Sequence, residues 1–334
     1  MKTPRLRFTF VALLLSLPRA LAGSSALAQD NDPSKVTLVV SQVAPGISVI
    51  EGVGGGPVGN VAVSAGSDGV FIVDDELDTL STKLQATLAK ISRSPVRFVI
   101  NTHWHGDHSG GNAALGAAGA VNLAHDNVRK RLSAVQLEQT KDKVVAKPGA
   151  GLPVVTFAED VTLHLNGDAV HAFHVPPAHT DGDVIVHFTV ANVIHTGDLF
   201  LSRGYPFVDL GAGGNFEGYI DAADRIILAA NATTRIIPGH GPVVGRAEVQ
   251  TWRNVLDQIR QRVKALILQG KSLEQATLAK PTADLDASVG ADTASAQRIV
   301  EAAYKSLVAN AAKAADAAKP KAPKATPAPS PAPH

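Results

Sequence analysis

Asn101-Thr-His-Trp-His-Gly-Asp-His-Ser-Gly-Gly-Asn112 follows directly on a mostly apolar run, residues 96–100, and holds four potential metal ligands within six positions. These ligands are His103, His105, Asp107 and His108. Packing alone does not account for them, because each polar atom that is buried without a partner costs about 1–3 kcal/mol. A metal centre at this point of the chain would give all of these groups a partner.

The spacing within this stretch indicates two ions. In an extended or turning backbone, His103 and His105 point the same way and can bind one ion together. Asp107 and His108 are adjacent, so they face another direction and can bind a second ion nearby. The alternative is a helix start at which Asp107 or Ser109 caps the residues that follow. That role needs only one residue and leaves the other potential ligands unexplained.

The composition of the chain bounds the class of protein. With 334 residues, 45% of them hydrophobic, the chain can form one large domain or two small ones. A net charge of +1 and an aromatic content of 4% argue against nucleic-acid binding. The chain has no cysteine, which excludes disulfides, a thiol nucleophile and thiolate ligands. Any metal must therefore be bound through nitrogen and oxygen.

The N-terminus has the pattern of a secretory signal peptide over residues 1–28. Three basic residues precede a short apolar core, residues 8–17, and Ala26-Leu-Ala28 offers a cleavage site. The alternative is a membrane anchor, but crossing a bilayer takes roughly 20 apolar residues. We expect a periplasmic or secreted protein with no stable membrane insertion after cleavage.

Residues 36–245 consist of two strand-rich halves with the same plan. Short β-branched runs indicate strands, and apolar residues at helical spacing indicate helices. In the first half we expect strands at 36–40, 47–50, 61–63, 70–73 and 96–100, and a helix at 79–92. In the second half we expect strands at 161–165, 169–175, 184–190, 193–195 and 234–237, and a helix at 219–230. The repetition predicts an internally duplicated sandwich.

The chain changes character after Gly245. Helical periodicity at residues 246–269 and 294–314 predicts a C-terminal helical extension, residues 246–314. Alanine, proline and lysine dominate residues 315–334, which cannot bury enough apolar area to fold. We expect a disordered tail there.

Three further candidate ligands lie in turns beside predicted strands. His179 lies in Pro-Pro-Ala-His-Thr-Asp-Gly-Asp, Asp198 lies in Thr-Gly-Asp, and His240 lies in Pro-Gly-His-Gly-Pro. Each of them alone is compatible with an ordinary turn residue. Histidines within the strands, such as His125 and His195, are expected to have packing roles.

The segment His-Trp-His-Gly-Asp-His, residues 103–108, resembles the His-x-His-x-Asp-His signature of the metallo-β-lactamase superfamily. His179, Asp198 and His240 match the remaining motifs of that superfamily in their order along the chain. The resemblance covers residues 36–245, which it identifies as the catalytic domain. It implies an α+β fold, the four-layer αβ/βα sandwich, here followed by C-terminal helices.

The resemblance also implies a centre of two zinc ions per chain. It assigns the first ion to His103, His105 and His179 and the second to Asp107, His108 and His240, with Asp198 bridging the two. Asp74 matches an aspartate at a strand end that orients ligand histidines, as metal sites commonly require. An ordinary turn aspartate is the alternative for Asp74.

A two-zinc centre predicts hydrolysis of a small carbonyl compound. Zinc lowers the pKa of a bound water to about 7, so a bridging hydroxide can attack a β-lactam, lactone, thioester or ester. Asp107 would orient this hydroxide and carry its proton to the leaving atom. The expected partner is therefore a small-molecule substrate.

The layout is most similar to that of exported class B β-lactamase-like proteins. Asn215, in Gly-Gly-Asn before a helix, matches a residue that helps to bind the substrate in those enzymes. They mostly have cysteine where this chain has Asp198, and a nearby lysine for which only Arg203 could substitute. A glyoxalase II-like thioesterase is an alternative, and so is a zinc-binding envelope protein without catalytic activity.

Overall fold

The computed structural model describes residues 32–56, 58–134, 136–137, 143–144 and 151–319. The predicted signal peptide and residues 320–334 of the predicted tail lie outside these ranges. The strands are β1 (Thr37–Ala44), β2 (Ile47–Val53), β3 (Val61–Gly66), β4 (Gly69–Val73), β5 (Val96–Ile100), β6 (Val121–His125), β7 (Gln136–Leu137), β8 (Lys143–Val144), β9 (Val155–Phe157), β10 (Asp160–Leu165), β11 (Asp168–His174), β12 (Val184–Phe188), β13 (Val193–His195) and β14 (Arg235–Ile237). The α-helices are α1 (Ser81–Ile91), α2 (Gly106–Ser109), α3 (Asn112–Ala117), α4 (Asp126–Ser133), α5 (Phe216–Ala229), α6 (Arg246–Leu268), α7 (Leu273–Leu278), α8 (Asp286–Val289) and α9 (Thr293–Ala317).

The strands form two main sheets with the same plan, and β7 pairs with β8 separately. The first sheet has the order β1-β2-β3-β4-β5-β6-β9, and the second has the order β10-β11-β12-β13-β14. In each sheet, antiparallel neighbours lead through a helix to a parallel pair, β4 with β5 and β13 with β14. The predicted repetition of the two halves is therefore confirmed in their topology.

The two sheets pack face to face, and helices cover both outer faces. The alternation along β4 shows why: Phe71 and Val73 are buried between the sheets, whereas Val70 and Ile72 pack against the helices outside. The ring centroid of Phe71 lies 5.8 Å from that of Phe188 in the second sheet. Helices α1 and α3 cover the first sheet, and α5, α6 and α9 cover the second. This is the predicted four-layer αβ/βα sandwich.

The C-terminal helices belong to the outer layer of the second sheet. Val255, Ile259 and Val263 of α6 share one hydrophobic cluster with α5 and α9. Helix α9 ends at Ala317, so it runs past residue 315, where the tail was predicted to begin. A helix with both the length and the hydropathy to span a membrane does not occur in the described part of the chain.

Residues 118–157 contain elements that the sequence pattern did not indicate, among them β6. The strand carries two buried polar residues, Asn122 and His125. The Asn122 side chain donates a hydrogen bond of 3.1 Å to the carbonyl oxygen of Asn112, and Nε2 of His125 donates one of 3.1 Å to that of Ala158. These partners allow the strand to be buried without the apolar run that would have predicted it.

The loops at the carboxyl ends of the parallel strands meet at one edge of the sandwich. Strand β4 pairs with β5 up to Val73 and Ile100, and β13 and β14 also end together. Just after β5, the carbonyl oxygen of Thr102 accepts a hydrogen bond of 2.8 Å from the backbone N–H of Val184 in the second sheet. Open α/β sheets bind ligands at such carboxyl ends, so this edge is the place to look for a site.

Candidate metal centre

The structure brings all seven predicted ligands together in two adjacent groups. The first group consists of His103, His105, His179 and Asp198, and the second consists of Asp107, His108 and His240. In each group the candidate ligand atoms lie within 4.8 Å of one another. Each group contains the three residues that the resemblance assigns to one ion, and Asp198, which it assigns to a bridging position, falls in the first group.

The turn into α2 explains why neighbouring ligands separate into two groups. His103 and His105 precede the helix, whereas Asp107 and His108 lie within it. The next helix, α3, begins without a side-chain cap, so the capping role considered for Asp107 or Ser109 is wrong.

Asp198 lies between the two groups. Its Oδ2 is 3.4 Å from Nε2 of His179 in the first group. Its Oδ1 is 3.3 Å from Nε2 of His108 and 3.4 Å from Nε2 of His240 in the second. The two oxygens of one carboxylate therefore face different groups, which is the position predicted for a bridging ligand.

In the first group, outer ring nitrogens donate to oxygens of the surrounding structure. Nε2 of His105 lies 2.9 Å from Oδ2 of Asp209, and Nδ1 of His179 lies 2.6 Å from the carbonyl oxygen of Phe207. A carboxylate and a carbonyl can only accept, so the outer nitrogens carry the protons. The inner nitrogens of these neutral imidazoles are then bare acceptors.

Asp74 orients two more histidines in the same way, with the outer ring nitrogen hydrogen-bonded and the inner one directed at the centre. Its Oδ2 accepts from Nδ1 of His108 over 2.8 Å and from the hydroxyl of Thr102 over 2.8 Å. The Thr102 oxygen in turn lies 3.1 Å from Nδ1 of His103 and accepts its proton. Both Nε2 atoms therefore point toward the centre. The structure thus places Asp74 where the prediction requires it.

His240 completes the pattern, and the inner nitrogens face one another. Its Nδ1 donates to the carbonyl oxygen of Val58 over 2.9 Å, and its Nε2 lies 3.4 Å from Nε2 of His108. In the first group, Nε2 of His179 lies 2.8 Å from Nδ1 of His105. Lone pairs at these distances repel unless a cation lies between them, so the donor set fits metal ions.

The electrostatics of the centre also fit a cation. Burial lowers the pKa of His179 to about 4. Burial opposes a charge on His240 as well, but Asp198 and Asp107 outweigh it and raise its pKa to about 10. Oδ1 of Asp198 is buried and accepts no hydrogen bond from the described residues. The two carboxylates therefore favour positive charge beside them, as divalent cations would supply, whereas His179 stays neutral, as a ligand must.

Sequence reasoning missed two residues around the first group, Asp209 and Tyr219. Asp209 lies 104 positions from the histidine it orients, and no motif marks it. The hydroxyl of Tyr219 donates to the carbonyl oxygen of Phe207 over 2.7 Å and lies 2.9 Å from Nδ1 of His179. Both contacts arise only from the folded arrangement of the loops.

Two residues considered for substrate binding have other contacts in the structure. Asn215 caps α5 by accepting from the backbone N–H of Glu217 over 3.0 Å, and its amide donates to Asn310 over 2.9 Å. The Arg203 side chain packs beside Gly290, in the C-terminal extension. These contacts do not support the predicted contact of Asn215 with a substrate or the substitution of Arg203 for a lysine.

His195 has the expected packing role. Its Nδ1 accepts from the backbone N–H of Gly197 over 3.1 Å, and its Nε2 donates to the carbonyl oxygen of Asn60 over 3.1 Å. Both ring nitrogens are engaged, so His195 supports the loop that carries Asp198 without facing the centre.

The sandwich and the ligand groups at its loop edge define a metallo-hydrolase fold. Residues 54–245, more than half of the chain, match the metallo-beta-lactamase superfamily, and the chain belongs to this superfamily. Most of its members are metal-dependent hydrolases.

Two curated relatives match part of the chain. The beta-lactamase-like protein 2 homolog of Caenorhabditis elegans is 25% identical over 197 residues, 58% of this chain and 58% of the relative. The hydroxyacylglutathione hydrolase of Erythrobacter litoralis (strain HTCC2594) is 31% identical over 155 residues, 45% of this chain and 51% of the relative. The chain thus spans just over half the length of the curated relatives it matches.

Solved structures share the fold. A metallo-beta-lactamase from Pontibacter korlensis aligns with a TM-score of 0.54 and 18% identity, over 66% of this chain and 99% of that one. The metallo-beta-lactamase FIM-1 from Pseudomonas aeruginosa, in its mono-zinc form, aligns with a TM-score of 0.54 and 21% identity, over 69% of this chain and 98% of that one.

Proposed function

We propose that the protein is an exported hydrolase that cleaves a small carbonyl substrate with two zinc ions. The orientation of the five imidazoles carries this proposal, because their outer nitrogens are hydrogen-bonded and their inner nitrogens converge with two carboxylates. A polar cluster built for packing would pair donors with acceptors, whereas the inner nitrogens of His105 and His179, both acceptors, face each other at 2.8 Å. Zinc bound there would supply a Lewis acid for the carbonyl oxygen and a more acidic water molecule.

Asp107 is the residue that we assign to proton transfer. Its Oδ2 lies 3.2 Å from Nε2 of His240 and 3.4 Å from Nε2 of His108. Its side chain is 24% exposed, against 13% for Asp198. Asp107 is therefore the more accessible carboxylate of the centre, and it can orient an attacking water and carry the proton of that water to the leaving atom.

Thioesters, lactones and esters are the substrate classes that we place ahead of β-lactams. The relative from Erythrobacter litoralis is a hydroxyacylglutathione hydrolase, which supports a thioester as substrate. The β-lactamase structures support the fold alone at their level of identity. Asp198 in place of cysteine, and the position of Arg203 beside Gly290, also favour a substrate other than a β-lactam.

The test combines metal analysis with a substrate panel. We expect two zinc ions per chain by elemental analysis, and turnover of at least one member of a set comprising a thioester, a lactone, an ester and nitrocefin. Two bound zinc ions without turnover of any substrate would favour the non-catalytic zinc-binding protein.

Asp107→Asn tests the assigned role of Asp107. Turnover should be abolished while most of the metal stays bound, and an active Asp107→Asn variant would refute the assignment. Asp224→Asn is the matched control, since Asp224 is an exposed carboxylate paired with Arg253 on the helical face.

Export is proposed from the pattern of residues 1–28. Mass spectrometry of the N-terminus, on protein recovered from the periplasm or the medium, should find a mature chain that begins at Gln29. Protein that keeps Met1 and stays in the cytoplasm would contradict export without bearing on the hydrolase.

A further inference from the structure

Phe207 is an exposed aromatic residue beside the first ligand group. Its ring centroid lies 6.1 Å from that of His179 and 6.4 Å from that of His105. The residue is 54% exposed. Single exposed apolar residues are common on protein surfaces, so the significance of Phe207 depends on what holds it there.

The backbone of Phe207 is anchored by the centre itself. Its carbonyl oxygen accepts hydrogen bonds from Nδ1 of His179 and from the hydroxyl of Tyr219. Two residues later, Asp209 accepts the proton of His105. The segment that carries the Phe207 ring therefore cannot move away without releasing the two imidazoles, and the ring stays at the border of the site.

Trp104 extends this apolar surface on the same histidine. Its ring centroid lies 4.9 Å from that of His105, and the half-buried indole packs against the cluster of Val128 and Leu132. We call Trp104 and Phe207 the apolar rim. The imidazole of His105 contacts both members of the rim, so a group bound at the first ligand group would meet an aromatic surface.

No lysine or arginine among the described residues offers a substrate carboxylate a comparable contact at the centre. Within the described ranges, no hydrogen bond or ion pair joins a lysine or arginine to any of the seven ligands. Arg131 binds both carboxylate oxygens of Asp181, at 2.7 and 2.6 Å. Among the described residues, a substrate would thus find apolar contact at the rim but no fixed cationic side chain at the ligands.

We propose that the apolar rim selects substrates by their acyl portion, so that the protein prefers aromatic or medium-chain aliphatic acyl groups to short ones. This inference rests on the proposed hydrolase. It names the part of the substrate that lies against Phe207 and Trp104, while the scissile carbonyl lies at the ligand groups. Phe207 is the specificity-determining residue, because it is the more exposed member of the rim.

The test uses two esters with the same leaving group, p-nitrophenyl octanoate and p-nitrophenyl acetate, and the zinc-loaded full chain. Phe207→Ala should lower the octanoate-to-acetate ratio of kcat/KM roughly tenfold, the scale of one lost apolar contact in a binding pocket. Phe207→Leu should restore part of the ratio, because leucine keeps an apolar side chain. Val190→Ala is the matched control, since Val190 is 72% exposed and lies after β12, and the ratio should not change. An unchanged ratio in Phe207→Ala would overturn the proposal.

A binding measurement separates failure of the rim from failure of the hydrolase. Octanamide and acetamide carry the same two acyl groups, and saturation-transfer NMR reports their binding without turnover. We expect octanamide to bind more tightly than acetamide, and Phe207→Ala to remove the difference. If octanamide binds more tightly in this way but no ester is hydrolysed, ester hydrolysis is refuted and the proposed role of the apolar rim stands. Equal binding of the two amides would overturn the proposed role of the apolar rim.

Discussion

Glu76 is a buried carboxylic acid next to the centre, and replacing it with glutamine should change how stability depends on pH. The residue has no exposed surface, and neither of its carboxylate oxygens has a hydrogen-bond partner among the described residues. Burial raises its pKa from 4.5 to about 8, and the opposing charge of His108 only partly offsets this. In the metal-free folded protein Glu76 is therefore neutral at pH 7, whereas in the unfolded chain it is ionised.

The sign and the size of the effect follow from this difference in pKa. Between pH 4.5 and 8 the unfolded chain has released the Glu76 proton and the folded chain has kept it, so stability falls as pH rises. The slope is about 1.4 kcal/mol per pH unit, or about 3 kcal/mol between pH 5.5 and pH 7.5. Glutamine has nearly the same shape and does not ionise. The free energy of unfolding of Glu76→Gln, minus that of the wild type, should rise by this amount over the range.

Urea unfolding of the metal-free protein at pH 5.5, 6.5 and 7.5, followed by tryptophan fluorescence, measures the difference. Any fixed cost of burying the amide cancels, because it is the same at every pH. The control is Glu274→Gln, an exposed position in α7, for which the difference should stay constant. A difference for Glu76→Gln that stays flat within about 0.5 kcal/mol would refute the reasoning, because Glu76 would then ionise in the folded protein as it does in the unfolded chain.

Three further changes test other parts of the structure. Asp209→Asn should weaken zinc binding about 10- to 100-fold in a chelator competition, because a residue that orients a ligand is lost. The control Asp224→Asn should bind zinc normally. Unchanged zinc affinity in Asp209→Asn would contradict the role of Asp209. Gly239→Ala places a Cβ on Oδ1 of Asp198, the carboxylate between the two ligand groups. We therefore expect the variant to lose zinc while its far-UV circular dichroism spectrum stays unchanged. Retention of two zinc ions would contradict this position of the Asp198 carboxylate. His125 and His174 stack with centroids 3.8 Å apart, and burial lowers the pKa of both. Below about pH 6.5 these histidines take up protons in the unfolded chain, but their lowered pKa keeps them neutral in the folded protein. The free energy of unfolding should therefore fall on acidification, and this fall should be smaller in His174→Gln.

The parts of the fold that follow local patterns could be predicted from the sequence. The strand before the ligand cluster is mostly apolar, with Arg97 as its one charged residue, and Val255, Ile259 and Val263 mark the buried side of α6. The seven candidate ligands could also be found, because each lies in a short motif with glycine or proline nearby. Such signals are contained in a few consecutive residues and do not depend on the rest of the fold.

The rest depends on contacts between distant residues and has no local signal. Strand β6 was missed because its buried Asn122 bonds to Asn112 at the start of α3. Asp209 was missed because its only mark is a contact with His105, 104 positions away. The contact of Asn215 with Asn310 in α9 also has no local signal, since the two residues lie 95 positions apart. A residue type in a motif indicates what it can bind, while its partner is decided by the packing of the helices and sheets.

The arrangement of the centre also explains why a duplicated fold suits the two proposed metal ions. Neither half of the chain completes a ligand group, because His103 and His105 need His179 from the second half, and Asp107 and His108 need His240. The hydrogen bonds that orient the imidazoles cross in the same way, from His105 to Asp209 and from His240 to Val58. Docking of the two sheets therefore builds both ligand groups and directs the inner nitrogens of the imidazoles at the centre before any ion arrives. Ions that bind only this docked form add their binding free energy to the stability of the interface between the halves.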